Sequence, residues 1–513
     1  MTDAVARSAN LHGAPTKTQS GSCEQIVKST ALIGASSLIS IVFSIIRYKA
    51  FAILLGPAGV GLFGLYNSML DLGQTLSGLG VQTSGVRQIA NAEGGGDSRQ
   101  IALTTIVVRR ISLVLALLGG AGFALIAPLI SGMTVGEGLQ GATVLLGLAI
   151  AFRLIAGGQL AVVQGHRRIA DLAWMNTIGA AASTLIGVPL IYWWGSDGIA
   201  PALVLMAVVQ VAASWWYSRK IVVASLAIGW PEMRKETLAL LRLGFVFMVS
   251  GVLTLGSAYV IRLIVLHHDG LLAAGLYQAA WTVGGLYASF ILQAMAADFY
   301  PRLTAVCDDD EACNRLVNEQ VQVSILLAGP GVLATLTLAP VILSLLYSGE
   351  FLSAVDLLRW ICLGMMLRIL AWPLGFIIVA RAANRTFFWT EVAATVVHVG
   401  LAWFLVMQIG IMGAGIAFFG LYVWHCGLVY VIVRIMCGFR WSPDNLRLIG
   451  LFTGASTLLL LAFALLPVMV ASLLGLACTC ACGLYSLKLL AGLLSVQSLP
   501  ARLRPIASRY FSH

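Results

Sequence analysis

Apolar runs of about bilayer length follow one another along almost the whole chain, separated by short polar breaks. About 20 apolar residues suffice for one helical crossing of a membrane, and by that measure the pattern predicts about fourteen helices. They cover residues 28–55, 58–82, 102–131, 138–165, 169–194, 197–220, 238–266, 270–298, 317–347, 351–380, 386–408, 411–437, 446–468 and 470–495. The predicted fold class is therefore an all-α polytopic membrane protein. Most of the 54 glycines are explained by close packing of such helices.

Composition agrees with this reading and excludes soluble classes. The 513 residues are 59% hydrophobic and 10% charged, with a mean hydropathy of +0.93, the profile of a polytopic membrane chain. The polar N-terminal segment through Glu24 lacks the short apolar core and cleavage site of a signal peptide. The first span is expected to be retained and to start on the cytoplasmic side. The net charge of +10 carries topology rather than nucleic-acid binding, because the cations alternate. Connections near Gly132 to Glu137, Ser196-Asp197, His267-His268-Asp269, Ser348-Gly349-Glu350 and Gln408-Ile409-Gly410 hold no Lys or Arg. The opposite connections hold Arg87, Arg99, Arg167, Arg168, Arg219, Lys220, Arg234, Lys235, Arg302, Arg315, Arg381, Arg385, Arg434, Arg440 and Arg447, and the tail adds Arg502, Arg504 and Arg509. Positive charge accumulates inside, so both termini are expected in the cytoplasm. Tryptophan pairs at Trp193-Trp194 and Trp215-Trp216 read as interface anchors.

The halves of the chain echo each other. Arg153-Leu154-Ile155-Ala156 recurs as Arg368-Ile369-Leu370-Ala371, a separation of 368 minus 153, or 215. Trp174 and Trp389 share that offset, and Gly64-Leu65-Tyr66-Asn67 recurs as Gly275-Leu276-Tyr277-Gln278. Spans one to six and seven to twelve therefore read as two six-helix lobes. Even numbers of crossings relate them by a pseudo-two-fold axis along the membrane normal. The expected division is a cytoplasmic tail over 1–27, an N-lobe over 28–220, a cytoplasmic linker over 221–237, a C-lobe over 238–437, two further helices over 438–495 and a cytoplasmic tail over 496–513.

The informative chemistry is cationic. Arg47, Lys49, Arg153, Arg262 and Arg368 lie within spans one, four, seven and ten, the equivalent spans of both halves. A charge at bilayer depth costs at least about 2.5 kcal/mol and turns toward protein or an aqueous cavity. Arg47, Lys49 and Arg262 are near enough to the outer surface to snorkel, whereas Arg153 and Arg368 are the deepest. Arginine suits phosphate oxygens through its planar, permanently charged donors, so the five residues are candidates for an anion site. Asp71 and Glu391 can relay protons, bind a coupling cation or pair with these arginines. Asp356 and Arg359, three apart, are expected to pair, and Arg109 and Arg110 to reach inward. The acidic run Asp308-Asp309-Asp310-Glu311 reads as a solvated connection. Cys478 and Cys482 share a helix face that Cys480 leaves, which reads as packing. No metal is assigned, no cofactor is implied, and no catalytic signature is present.

The stretch Ala31-Leu32-Ile33-Gly34-Ala35-Ser36-Ser37 leading to Leu54-Leu55-Gly56-Pro57-Ala58-Gly59-Val60-Gly61, with the turn Gln164-Gly165-His166-Arg167-Arg168, resembles the polysaccharide transporter branch of the multidrug, oligosaccharidyl-lipid and polysaccharide exporter superfamily. Within it the chain is similar to the Wzx-type O-antigen flippases. The resemblance implies a transporter rather than an enzyme. Its two lobes would alternate access to a central cationic cavity and carry an undecaprenyl-pyrophosphate-linked oligosaccharide from the cytoplasmic to the periplasmic leaflet. That substrate would be a repeat unit of O-antigen, enterobacterial common antigen or exopolysaccharide. Arg47, Lys49, Arg153, Arg262 and Arg368 would meet the pyrophosphate, and the last two helices would guide the lipid tail. Implied partners are the lipid-linked oligosaccharide, membrane lipids, and a polysaccharide polymerase with its chain-length machinery.

Three other readings share some of these features. A drug or cation antiporter of the same superfamily would place acids rather than arginines at its site. A peptidoglycan lipid-precursor flippase shares the pyrophosphate logic, and cations do not separate it. A membrane enzyme acting on lipid-linked sugars would carry large outer loops, and those here are short.

Overall fold

Each predicted span corresponds to an α-helix in the computed structural model, which describes residues 17–134, 140–223, 228–295 and 299–493. The helices are α1 (Lys17–Gly78), α2 (Val81–Gly95), α3 (Ser98–Thr134), α4 (Gln140–Gly165), α5 (Ile169–Trp194), α6 (Ile199–Ser218), α7 (Trp230–Ala294), α8 (Tyr300–Val306), α9 (Asp310–Leu346), α10 (Val355–Ala380), α11 (Asn384–Ile409), α12 (Met412–Cys437), α13 (Pro443–Leu465) and α14 (Val468–Leu493). Among the described residues, eleven helical stretches are long and apolar enough to cross a membrane. Three of them, of 43, 50 and 57 residues, reach about 65 to 85 Å at helical rise, enough for two crossings of a hydrocarbon layer about 30 Å thick. All three contain a break. Gly56 interrupts α1 with φ 64 and Gly270 interrupts α7 with φ 83, a conformation that only glycine adopts at little cost. A 3-10 turn, Gly195–Gly198, separates α5 from α6. Counting both sides of each break gives the fourteen crossings expected.

The repeat is visible element by element. Helices α3 and α9 each have 37 residues, and α4, α10, α5 and α11 each have 26. Arg167 and Ala382, again 215 apart, both take φ 53. Each closes the preceding helix with the same pair of bonds: Arg167 N to Gln164 O and Arg168 N to Val163 O, then Ala382 N to Val379 O and Ala383 N to Ile378 O. This is the left-handed ending that satisfies the last carbonyls of a helix. The glycine-basic turn after the fourth span is therefore a helix cap.

Contacts gather the chain into two compact units whose edges differ from those of the repeat. One spans Met1–Arg47, Gly73–Ile130 and Leu139–Met248, and the other Tyr48–Leu72, Ser131–Gly138 and Val249–His513. In the first unit, α2 turns Val81, Ser84, Gly85 and Ile89 inward. Ile89 joins Val107, Val108, Ala161, Val162, Val163 and Leu240, each no more than 1% exposed, in a core that Met175 and Ile221 complete. In the second unit, α13 and α14 pack on α9: Phe452 closes over Gly329, and Thr337 lies against Gly475. The enclosed helices of the two units are α4 and α10, with 61% and 72% of their apolar windows buried.

Two helix starts differ from expectation because side-chain contacts extend them. Helix α7 begins at Trp230 rather than 238, because Pro231 and Glu232 in its first turn are helix-starting residues. Side chains hold this start to α3: Arg99 Nη2 donates to Glu232 at 2.8 Å, and Thr104 Oγ1 to Glu236 at 2.6 Å. Helix α9 begins at Asp310 because Asp309 caps it, accepting from Glu311 N at 2.9 Å and Ala312 N at 3.1 Å. The acidic run thus starts a helix, and its Asp310 and Glu311 pair with Arg381 and Arg315. The short helices α2 and α8 were not foreseen. The expected cytoplasmic tail positions Arg502, Arg504 and Arg509, and residues 1–16, lie outside the described residues.

Candidate anion-binding cations

Position along the helix is the first property that α4 and α10 impose on their arginines. Arg153 is the fourteenth residue of α4 and Arg368 the fourteenth of α10, counting from Gln140 and Val355. Each is half-buried at mid-length of its unit's enclosed helix. In the first unit Arg47 is also half-buried, on α1, near the point where Thr184 Oγ1 of α5 donates to Phe43 O at 2.9 Å.

The other cations lie in the second unit, where Arg262 corrects the expected order. It was placed near the surface and able to snorkel, yet it is only 9% exposed, the most enclosed of the five. Partners explain the difference. Its Nε donates to Gln278 Oε1 at 3.0 Å and its Nη1 to Ala258 O at 3.2 Å, so its charge is solvated by protein rather than by water. Gln278 closes the second copy of the Gly-Leu-Tyr motif. The two copies meet: the Gln278 side chain lies against Gly64, and the backbones of Gly61 and Gly275 touch. Asp71, on the stretch of α1 beside them, acts electrostatically on Arg262.

Lys49 has a different engagement. Its Nζ donates to Ser344 O at 2.7 Å, in the last turn of α9, where a cation satisfies a free carbonyl and the helix dipole. Asp356 and Arg359 pair at 2.8 Å as expected. Arg359 also donates to Leu336 O and lies 3.6 Å over the ring of Phe463, which joins α10 to α9 and α13.

Around Arg368 the second unit gathers Glu391 and His398 of α11 and Tyr422 of α12, all within electrostatic reach of the guanidinium, while Trp372 lies 5.7 Å from it. Among the described residues, Arg368 Nε and His398 Nε2 are buried with no hydrogen-bond partner, which is costly in an apolar interior. An aromatic row links the two arginine clusters. Tyr277, whose ring centre is 6.0 Å from Arg262, stacks on Trp281 at 6.0 Å; Trp281 meets Phe418 at 5.0 Å, and Phe418 meets both His398 and Tyr422. Sequence reading missed Gln278, His398 and Tyr422 as members. Gln278 lay inside the repeated motif and was findable there, whereas single apolar-span residues such as His398 carry no periodic signal. Each candidate acid acts electrostatically on an arginine, Asp71 on Arg262 and Glu391 on Arg368.

The profile of a family described as "Polysaccharide biosynthesis protein" matches residues 50–356, more than half of the chain. The chain belongs to that family. This agrees with the resemblance carried by the first-span and fourth-span motifs. Two relatives, the lipid III flippases of Escherichia coli strain K12 and Shigella flexneri, are each 24% identical over 417 residues, covering 79% of this chain and 97% of theirs. Among solved structures, an inward-facing multidrug resistance MATE family transporter of the MOP superfamily aligns with a TM-score of 0.65 at 17% identity, over 78% of this chain and 94% of its own. The lipid II flippase MurJ in an inward closed conformation aligns with a TM-score of 0.64 at 12% identity, over 90% and 100%. The chain thus shares the all-helical fold of those transporters.

Proposed function

We propose that the chain is a flippase for an undecaprenyl-pyrophosphate-linked oligosaccharide, working by alternating access in a bacterial inner membrane with both termini in the cytoplasm. The observation that carries this reading is the matched placement of Arg153 and Arg368 at mid-length of the enclosed helices, in a chain of the polysaccharide biosynthesis family. A pyrophosphate cannot enter hydrocarbon without replacement of its hydration. Arg47 and Arg153 supply two positive charges in the first unit, and in the second Lys49, Arg262 and Arg368 supply three against the two negative charges of Asp71 and Glu391, so each unit retains a positive surplus for an anionic headgroup. Lys49 and Arg262 already hold protein carbonyl or amide oxygens, which makes Arg368, with its unpartnered Nε, the principal headgroup contact of the second unit. Glu391 beside Arg368 is the candidate coupling acid: protonating it would strengthen the local positive field, and deprotonating it would weaken the hold on the anion.

The lipid III flippases support a lipid-linked substrate by their name and near-full coverage. The MATE likeness is one of fold, and the cation surplus opposes an organic-cation cargo. A polysaccharide polymerase and chain-length machinery would act after the flipped product. The test is replacement. In a host whose own oligosaccharide flippase is deleted, this chain should restore surface polysaccharide and clear the lipid-linked precursor that accumulates in its absence. Precursor that stays accumulated despite normal membrane levels of the chain, across hosts with different repeat units, would overturn the proposal.

A further inference from the structure

A cavity of about 250 Å³ in the first unit has no part in the function proposed above. It opens between α3, α4 and α6, and Arg109, Ser112, Gln159, Trp215, Ser218 and Arg219 line it. No carboxylate is among its lining residues, and two of them are arginines.

Its position is set by its helices. Arg109 is the twelfth residue of α3, about 16 Å along a helix about 55 Å long, which exceeds the hydrocarbon thickness by about 25 Å over its two ends together. Ser218 ends α6 and Arg219 caps it. Trp215 and Trp216 are 53% and 51% exposed there, the composition of a membrane interface. The cavity therefore lies at headgroup level, in the cytoplasmic leaflet if the proposed orientation holds.

Its chemistry is built rather than incidental. Arg109 Nη2 donates to Ser218 O at 2.9 Å and to Ser218 Oγ at 3.1 Å, which fixes one guanidinium while its other amino group and Nε are not used in those bonds. The Arg219 guanidinium lies 3.6 Å over the ring of Trp216 and 4.8 Å from that of Trp215, an arrangement that holds its plane and keeps its donor edge available. Gly158 lets α4 close on Ser112 and forms the floor. Leu113 and Ile155 continue the wall on the apolar side, where a hydrocarbon chain would lie.

We propose that this cavity binds the phosphate of an anionic diacyl phospholipid, the two guanidinium forks holding its oxygens and Leu113 with Ile155 facing its first acyl carbons. A charge-assisted hydrogen bond to such an oxygen is worth enough that losing one weakens binding by about tenfold or more. The purified full chain would be stripped of lipid in mild detergent and titrated with palmitoyl-oleoyl phosphatidylglycerol or palmitoyl-oleoyl phosphatidylcholine under native mass spectrometry. The expected result is one tightly held phosphatidylglycerol, at least about tenfold preferred over phosphatidylcholine. Arg219→Gln, exposed at a helix end and tolerant of folding, should lose about that factor, and Arg109→Gln more, while Arg315→Gln on α9 should keep it. Equal retention of both lipids, or Arg219→Gln binding like wild type, would overturn the proposal. So would undecaprenyl pyrophosphate displacing phosphatidylglycerol from the same arginines, which would assign the cavity to the carrier lipid instead. None of these outcomes depends on whether the chain flips oligosaccharide.

Discussion

Substituting Gly275 by Ala tests how the two copies of the Gly-Leu-Tyr motif meet. A methyl group there would lie 2.6 Å from the carbonyl carbon of Pro57 and closer still to its oxygen, with Gly61 N at 3.0 Å. Side-chain carbons essentially never approach other atoms within 3.0 Å, and the obstructing atoms are backbone, so rotamer changes cannot relieve the clash. One helical segment must shift by several tenths of an ångström. Overpacking of this kind costs about 1 to 3 kcal/mol and is only partly offset by the gain of about 1 kcal/mol that alanine brings to a helix interior. Gly256 on the same helix has nothing within 4 Å of its added methyl and supplies the control. The assay is the thermal midpoint of detergent-solubilised protein fused to a fluorescent reporter, followed by size-exclusion chromatography. Gly275→Ala should melt below wild type and Gly256→Ala at or above it. Equal midpoints for Gly275→Ala and wild type would refute the close crossing.

Other outcomes follow from the same contacts. Gln278→Leu removes the acceptor for Arg262 Nε and leaves a buried charge short of a partner, so stability should fall by about 1 to 3 kcal/mol; Gln278→Glu, which keeps an acceptor, should fall less in the same melting assay. Asp309→Ala removes the cap of α9 and both of its bonds, a loss of about 1 kcal/mol that a small drop in melting midpoint would register. Glu391→Gln removes the negative charge beside Arg368; in vesicles it should flatten the dependence of flipping on an imposed proton gradient, and an unchanged dependence would remove Glu391 from coupling.

Much of the fold was legible because bilayer length and glycine punctuation are local signals. The break at Gly56 fell between two predicted spans, and the break at Gly270 fell on the first residue of one. Registers of the repeat were legible for the same reason, since Arg153, Arg368, Trp174 and Trp389 are rare residues in apolar surroundings. What stayed hidden depends on tertiary contact. Helix α2 is too polar to read as a span and is held by Ile89 in a core drawn from several helices. The early start of α7 relies on Glu232 and Glu236 meeting α3. Enclosure of Arg262 depends on Gln278, sixteen residues away across a helix break, and distance along a span does not reveal that partner. The aromatic row from Tyr277 to Tyr422 unites three helices whose order in space no sequence pattern states.

Recognition of pyrophosphate by these arginines is what the proposed function rests on. Its most direct test is equilibrium binding of a polyprenyl pyrophosphate and of the matching uncharged polyprenol to the purified wild-type chain and to Arg153→Ala and Arg368→Ala, all folded by the melting assay. The pyrophosphate should bind far more tightly than the alcohol, and each variant should lose about ten- to a hundredfold of that affinity, with alcohol binding unchanged. Equal affinity for the two lipids, or full pyrophosphate binding in both variants, would contradict it.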